Sequence, residues 1–515
     1  ASRTSHSLGV EGCRLISLTK DLDRLLELAD LTASRINDWI ETNEPIFVIS
    51  HLDADGIAAA GVIGSALVRR NANFHLRIIR QLDQVFLSEL AAHGLSRYIF
   101  CDLGSGQLPY IQEALGKAEV VILDHHPPDQ DRLPSNFRQL NPHLCGFDGT
   151  NEISGAGVAY LAARHLGGSN EDLAALAVVG ALGDIQDRGR QHALIGLNKE
   201  IIVEDAVAAD VIDQSIDLRI FGRETRPIHI ALQYSSDPFI PGISSNPDGA
   251  LSFLADLDIE LREGDKFRTI ASLSKEEKRQ LNSSLITYML KQNIPPREAQ
   301  SLIGVVYTLK HEEKGSYLRD ARMFSTLLNA TGRSDQGGIG VAICMGNRGS
   351  FYRKAESILK EYREQLALGL QWLTEDVDAV VIRKLIQTFH AKSKVPDTLV
   401  GSIAGMALNS RMLDWSKPVI AFVYSRDGRV KVSGRTTRQI VEAGADLGEA
   451  MKLASEELGS GSEGGGHNIA AGATIPRGQE DQFLQVIERI LSKQLGRMKE
   501  AKPSDEDNNN EETIK

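Results

Sequence analysis

Cysteine is scarce in this chain. Cys13, Cys101, Cys145 and Cys344 are the only four in 515 residues, they lie far apart, and none belongs to a CxxC pair. That spacing argues against a disulfide framework and a thiolate zinc site, and it fits a reducing compartment. Long apolar runs are missing as well: no stretch approaches the roughly 18 residues a membrane helix needs. The opening ASRTSHSLGVEG has no charged-then-apolar signal layout, so a cytoplasmic protein is expected. Positive charge is the third shortage, with 57 Lys and Arg against 69 Asp and Glu for a net −12. Such a chain does not grip nucleic acid with its whole surface, although a local basic groove stays open to it. The glycine run Gly464–Gly466 is followed by His467 rather than GK[ST], which argues against a P-loop motor.

What remains is ordinary globular material. Hydrophobic residues make up 42% and charged residues 24%, close to the average for folded domains. The length calls for about three domains.

Residues 15–43 carry Leu and Ile at helical spacing with no Gly or Pro, so a lead-in helix is expected. Short apolar runs then enter polar clusters three times: PIFVIS before HLDADG, RYIFC before DLGSG, and EVVIL before DHHPPD. Helical stretches such as GIAAAGVIGSALVRR and LPYIQEALGKA separate them, the alternation of a parallel α/β sheet. From about 154 to 205 the pattern turns helical. These features give a first domain over 1–205. A mixed α/β middle region follows over 206–375, with a capping box at Ser274 and Glu277 and a second amphipathic segment ending at Gly332. A smaller α/β domain spans 376–497, with a hairpin turn at Asp427-Gly428, a helix DLGEAMKLASEEL and a final helix near 479–497. The acidic, Asn-rich 498–515 is expected to be disordered.

The chemistry gathers at the ends of the apolar runs. His51, Asp53 and Asp55 alternate after a strand, so an extended backbone would aim one imidazole and two carboxylates to one side. Asp102 ends YIFC; Asp124, His125 and His126 end VVIL; Asp184 follows the helix ALAVVGALG. Ligands of open parallel sheets bind beyond the carboxyl ends of the strands. A lone Asp at a strand end is usually a cap or turn former. So many acids and imidazoles aimed at one place need a cation, because like carboxylates a few ångströms apart raise one another's pKa. Carboxylates with imidazoles and no thiolate favour Mn²⁺, with Mg²⁺ the alternative. The donors exceed what one ion requires. Two ions roughly 3.5–4 Å apart are the usual arrangement for hydrolysing phosphate esters.

HLDADG, DLGSG, LDHH and GDIQD, in that order, resemble the four signature motifs of the DHH phosphoesterase family. SGR and GGGHNIAAGA resemble the DHHA1 domain of its RecJ-like exonuclease branch. The resemblance covers roughly 45–190 and 376–490. It implies that His51 and Asp53 hold one metal, that Asp55 and His125 hold the other with Asp184 completing it, and that Asp102 bridges the two. It also implies that His126 faces the substrate phosphate while Asp124 orients its neighbours. In the last domain it implies substrate contacts from Ser433, Arg435, Gly464, Gly465, Gly466 and His467; Thr436 and Arg438 are neighbours that could help. A planar guanidinium suits bidentate phosphate contact, and a glycine run permits close backbone approach.

The expected activity is a two-metal exonuclease on single-stranded DNA or RNA in replication or repair, releasing mononucleotides. One alternative is a phosphodiesterase for short oligonucleotides or cyclic dinucleotides. Bacterial members of the branch carry an oligonucleotide-binding barrel after the glycine motif, where this chain nearly ends. That layout and the insertion over 206–375 resemble the archaeal RecJ-like nucleases associated with the GINS complex. A nucleoid-associated protein that binds GINS, or a replisome scaffold with secondary nuclease activity, is the further expectation.

Overall fold

A computed structural model describes residues 20–129, 133–235, 238–459 and 461–500. The start of the lead-in segment, Cys13 and the tail beyond 500 lie outside the described residues. The chain forms two compact units. One holds the described residues up to His51, Asp55–Arg188 and Leu194–Ala209; the other holds Leu52–Ala54, Gly189–Ala193 and the described chain from Asp210 on.

The first unit is built on a parallel sheet of β1 (Ile46–His51), β2 (Phe74–Ile79), β3 (Arg97–Cys101), β4 (Glu119–Leu123) and β5 (Phe137–Leu140), in the order β2-β1-β3-β4-β5. All four pairings are parallel. β3 is buried at every position and β4 at all but its first, as central strands covered on both faces should be. β2 alternates between intermediate and exposed positions over most of its length, the pattern of an edge strand. Tyr98, Phe100 and Phe137 have no accessible surface, and each contributes about 2–3 kcal/mol by burial. Helix Leu22–Glu41 is the expected lead-in, capped by Asp21 and buried along Leu25, Ala29, Ile36 and Trp39. Helices Gly155–Arg164 and Ala174–Gly183, buried almost throughout, supply the expected helical run.

This strand order has a consequence for function. The chain leaves β1 outward to β2 and returns to β3 on the opposite side, so the direction of winding switches between β1 and β3. A crevice opens beyond the carboxyl ends of strands at such a point, and there the side chains following β1 and β3 meet.

In the second unit β6 (Ile212–Leu218) forms a two-stranded antiparallel sheet with β9 (Ile303–Leu309), and β7 (Arg262–Glu263) and β8 (Lys266–Phe267) make a small hairpin between them. A mixed six-stranded sheet follows: β10 (Val380–Ile382), β11 (Gln387–His390), β12 (Val419–Tyr424), β13 (Val430–Arg435), β14 (Glu463–Gly466) and β15 (Ala470–Ile475). Its order is β10-β11-β12-β13-β15-β14. The β12–β13 turn falls at Asp427-Gly428, as expected, with Gly428 at φ 84. The amphipathic segment of the middle region is helix Ala321–Arg333, one residue longer than its glycine signal implied. No helix among the described residues is long and apolar enough to cross a membrane.

The capping box is present on helix Lys275–Lys291: Ser274 N–H donates to Glu277 Oε2 (2.8 Å) and Glu277 N–H to Ser274 Oγ (3.2 Å). Arg268 adds a bidentate pair to the same carboxylate at 2.7 and 2.6 Å. Its hydrogen bonds, then the Ser274 amide, hold the Glu277 carboxyl down to about 2. A depressed carboxyl stabilises the fold above its unfolded pKa of about 4.3 and stops doing so as pH falls toward the folded value. Glu277→Gln should therefore cost about 1 kcal/mol at neutral pH. Its melting temperature should converge on the wild-type value as pH drops from 5 to 2. A difference that stays constant over that range would refute this account.

Candidate metal centre

The strand-to-helix junction after β1 is tighter than an extended run. Helix Ala54–Arg69 begins immediately, which places Asp55 in its first turn. Alternation along an extended HLDAD is therefore corrected. His51 closes the strand, Asp53 sits in the turn, and Asp55 is carried by the helix to a different set of partners. Its carboxylate accepts from the Gly155 N–H (2.6 Å) and the Ala156 N–H (3.0 Å), at the N-terminus of helix Gly155–Arg164, where backbone donors favour an anion.

Asp102 follows β3 with a left-handed backbone (φ 58), and its N–H donates to Leu123 O at 2.8 Å. Its carboxylate lies 3.7 Å from His51 Nδ1 and 3.2 Å from His125 Nε2. His125 Nε2 is also 3.5 Å from Asp184 and 3.8 Å from Asp55. Donor atoms of His51, Asp53 and Asp102 gather within 4.8 Å of one another, and so do those of Asp55, His125 and Asp184. The Asp102–His125 contact joins the two groups.

Burial by itself would lower the pKa of His125. The Asp102 hydrogen bond and the charges of Asp184, Asp102 and Asp55 outweigh it, and the imidazole is raised well above its ordinary value. Its Nδ1 is 2.7 Å from Gly149 O, which makes Nδ1 the protonated donor and turns Nε2 toward the carboxylates. That is the tautomer a metal-ligating histidine uses. Oxygen and imidazole donors crowded in this way fit divalent cations, and no thiolate stands among them.

Asp124 is spent differently. It is wholly buried and accepts from Ser105 N–H (2.9 Å), His125 N–H (2.8 Å) and His126 N–H (3.2 Å), with His126 Nδ1 at 2.8 Å. Burial would raise its pKa, but His126, His125 and the Ser105 amide hold it far below the carboxylate range. It is placed to orient the His126 imidazole and to hold the His125 backbone. Its oxygens also come within reach of Asp102, His125 and His126 as a third donor group. His126 is the more exposed imidazole.

Several supporting residues gave no signal of their own in the sequence. Gln186 donates to Gly149 O (2.9 Å) and accepts from Asn198 (2.6 Å), bracing the carbonyl that fixes His125. Asn141 donates to His126 O (2.8 Å) and to Ser105 Oγ (2.9 Å). Gln186 belongs to GDIQD, so the motif itself was the available clue.

In the second unit Ser433 and Arg435 close β13. Arg435 donates to Gly434 O (2.7 Å), and a Cβ at Gly401 would stand 2.6 Å from its Nη2 and 3.0 Å from Ser433 Oγ. Burial, then the neighbouring Arg333, pushes its pKa down to about 10. Arg333, at the end of helix Ala321–Arg333, donates to Thr398 O (3.0 Å). Arg333 thus acts on Arg435 as a second cation, one the sequence reading missed. Gly464, Gly465 and Gly466 form the edge strand β14, paired to β15, rather than an open loop. Gly464 packs on Met451 and Ser455, Gly465 has open space at its Cβ position, and the His467 N–H donates to Ala470 O at 2.9 Å. Thr436 is buried, and Arg438 pairs with Glu442 on its own helix.

Models of three domains match the chain: the DHH family N-terminal domain over 45–181, the DHH-CID domain over 220–303 and the DHHA1 domain over 377–493. An uncharacterized protein of Methanocaldococcus jannaschii is 30% identical over 487 residues, covering 92% of this chain and all of that one. The chain belongs to the RecJ-like DHH/DHHA1 family. The single-stranded-DNA-specific exonuclease RecJ of Bacillus subtilis is 30% identical over 207 residues, 37% of this chain and 26% of that protein. The DHH/DHHA1 fold is shared with RecJ of Thermus thermophilus in complex with Mn²⁺ (TM-score 0.55, 16% identity). That match covers 91% of this chain, which spans 55% of the RecJ chain. CDC45 of Entamoeba histolytica shares the fold too (TM-score 0.60, 11% identity, 91% and 99% coverage).

Proposed function

We propose that this DHH/DHHA1 protein is a two-metal phosphodiesterase that shortens single-stranded DNA or RNA from an end and releases mononucleotides. The carrying observation is the pair of donor groups that meet at Asp102 and His125. His51, Asp53 and Asp102 would hold one divalent ion and Asp55, His125 and Asp184 the other, with Asp102 reaching both and Mn²⁺ preferred over Mg²⁺ for the imidazoles. Bound ions of this kind supply Lewis-acid charge and a more acidic water. The chain's own groups do the rest. The Gly149 carbonyl holds Nδ1 of His125 so that Nε2 is the nitrogen turned to the carboxylates, and the helix N–H groups hold Asp55 in place. Asp124 steadies His126 for a substrate phosphate, and Arg435 with Arg333 takes a phosphate through planar forks. Ser433, Gly464–Gly466 and His467 would complete the grip.

The resemblance to RecJ favours a polymer over a dinucleotide. GINS as a partner beside catalysis, and the nucleoid as the location, rest on the resemblance of the 206–375 insertion to that of the archaeal RecJ-like nucleases. Strands of about twenty nucleotides, labelled separately at each end, test the activity. Mononucleotides should appear from one labelled end with Mn²⁺ and disappear with chelator. Undiminished cleavage in chelator, or internal cuts, would overturn the reading, and a pull-down without GINS would remove only the partner.

A further inference from the structure

The second unit holds a pair of arginines whose surroundings differ from those of most arginines near them. Arg223 is bonded to Asp217, Arg268 to Glu277, Arg348 to Glu312 and Arg411 to Glu298. Arg226 and Arg363 have no carboxylate partner among the described residues, in a chain with 69 acidic side chains. They are stacked on rings instead. The Arg226 guanidinium lies 5.4 Å from the Phe221 centroid and 5.0 Å from that of Tyr234. The Arg363 guanidinium lies 4.3 Å from the same Phe221 and 5.2 Å from Tyr317, and donates to the Tyr317 hydroxyl at 3.3 Å.

The local sequence builds this cluster. Gly222 turns the chain after Phe221 at φ +87, and its missing side chain leaves the space where Arg226 Cδ lies, 2.5 Å from where a Cβ would be. Pro227 then caps helix Ile228–Gln233, which ends at Tyr234. Arg363 comes from helix Ser350–Glu375. Tyr234 is 60% exposed. Arg363 Nη2 is buried without a hydrogen-bond partner. The two like charges therefore share one ring with no counterion, and one donor of Arg363 is left unpaired. An anion would offset their repulsion, and an exposed aromatic face beside it accepts a second flat group.

A nucleotide unit supplies both, a phosphate for the forks and a base for the ring, whereas an acidic peptide supplies only the anion. We infer that Phe221, Arg226, Tyr234, Tyr317 and Arg363 form an accessory surface that binds the backbone and a base of unpaired nucleic acid. This rests on the proposed strand substrate.

The test is fluorescence anisotropy of the full chain with a labelled phosphorothioate oligothymidylate of about twenty units, beside turnover of a dinucleotide in Mn²⁺. Arg226→Gln with Arg363→Gln, and separately Tyr234→Ala, should each weaken strand binding by about tenfold, and the arginine pair should also reduce its salt dependence. Dinucleotide turnover should stay at the wild-type level, which also shows that the variants fold. Arg226→Lys with Arg363→Lys keeps the charge without the planar fork and should fall between. Wild-type strand affinity in all variants overturns the surface and leaves the hydrolase reading intact. Failure of the wild type to bind the strand while turning over dinucleotide overturns the surface and the polymer substrate together. Displacement of the strand by polyglutamate from wild type and variants alike, with no change in strand affinity, assigns the cluster to an acidic polypeptide and also overturns it.

Discussion

Asp102→Asn should lower strand cleavage by at least about 10³-fold in Mn²⁺ or Mg²⁺, about 4 kcal/mol of transition-state stabilisation. Asp102 is the carboxylate that touches both donor groups, 3.7 Å from His51 on one side and 3.2 Å from His125 on the other. Asparagine keeps the shape and tolerates the left-handed backbone at φ 58. The change therefore removes a charge without forcing the strand end to move. Alanine at the same position would add a backbone penalty of about 1 kcal/mol or more, so the asparagine variant is the cleaner of the two. Removing one anion from a crowded acidic cluster should not lower the melting temperature of the metal-free protein. Added Mn²⁺ should raise the melting temperature of the wild type and leave the variant nearly unchanged. Full turnover by Asp102→Asn in Mn²⁺ would sink the two-ion mechanism.

Gly155→Ala should cost about a hundredfold in kcat through position alone. A Cβ there would stand 2.5 Å from Asp102 Oδ1 and 2.6 Å from Asp102 Cβ. The same residue donates its N–H to Asp55 at 2.6 Å. One methyl group therefore pushes on the shared carboxylate while shifting the amide that anchors its neighbour. Helix propensity favours alanine by up to about 1 kcal/mol, so loss of activity need not come with loss of stability. Gly180→Ala is the companion variant: its Cβ would overlap Asp55 Oδ1 and come within 2.5 Å of Ala156 Cβ, disturbing the second donor group first. Saturating kinetics and apparent Mn²⁺ affinity separate the two. A Gly155→Ala enzyme with wild-type kcat would mean that Asp102 is less constrained than its packing implies.

Much of the site was legible because its donors follow strands whose apolar runs are unmistakable. RYIFC and EVVIL are nearly all buried, and short apolar runs bounded by turn residues read as strands covered on both faces, which puts Asp102 and Asp124 at their exits. The capping box at Ser274 and the turn at Asp427-Gly428 were readable for the same local reason, since a few adjacent residues satisfy one another's backbone groups. Asp55 was harder. Alternation was extended one residue too far, and the helix starting at Ala54 turned its carboxylate to Gly155 and Ala156. The glycine run gave no strand signal because glycine weakens strands, yet pairing with β15 and packing on Met451 and Ser455 hold it as an edge strand.

The sequence by itself determined the α/β class, the donor types and their exits from the strands, since these follow from periodicity and from the chemistry of adjacent side chains. The family resemblance implied how the donors sort around Asp102, and the contacts that join the two groups come from the tertiary structure. It alone placed Arg333 beside Arg435 and left Arg226 and Arg363 sharing a ring without a counterion. Each of these joins residues distant along the chain, and such proximity is created by packing, which local pattern does not encode.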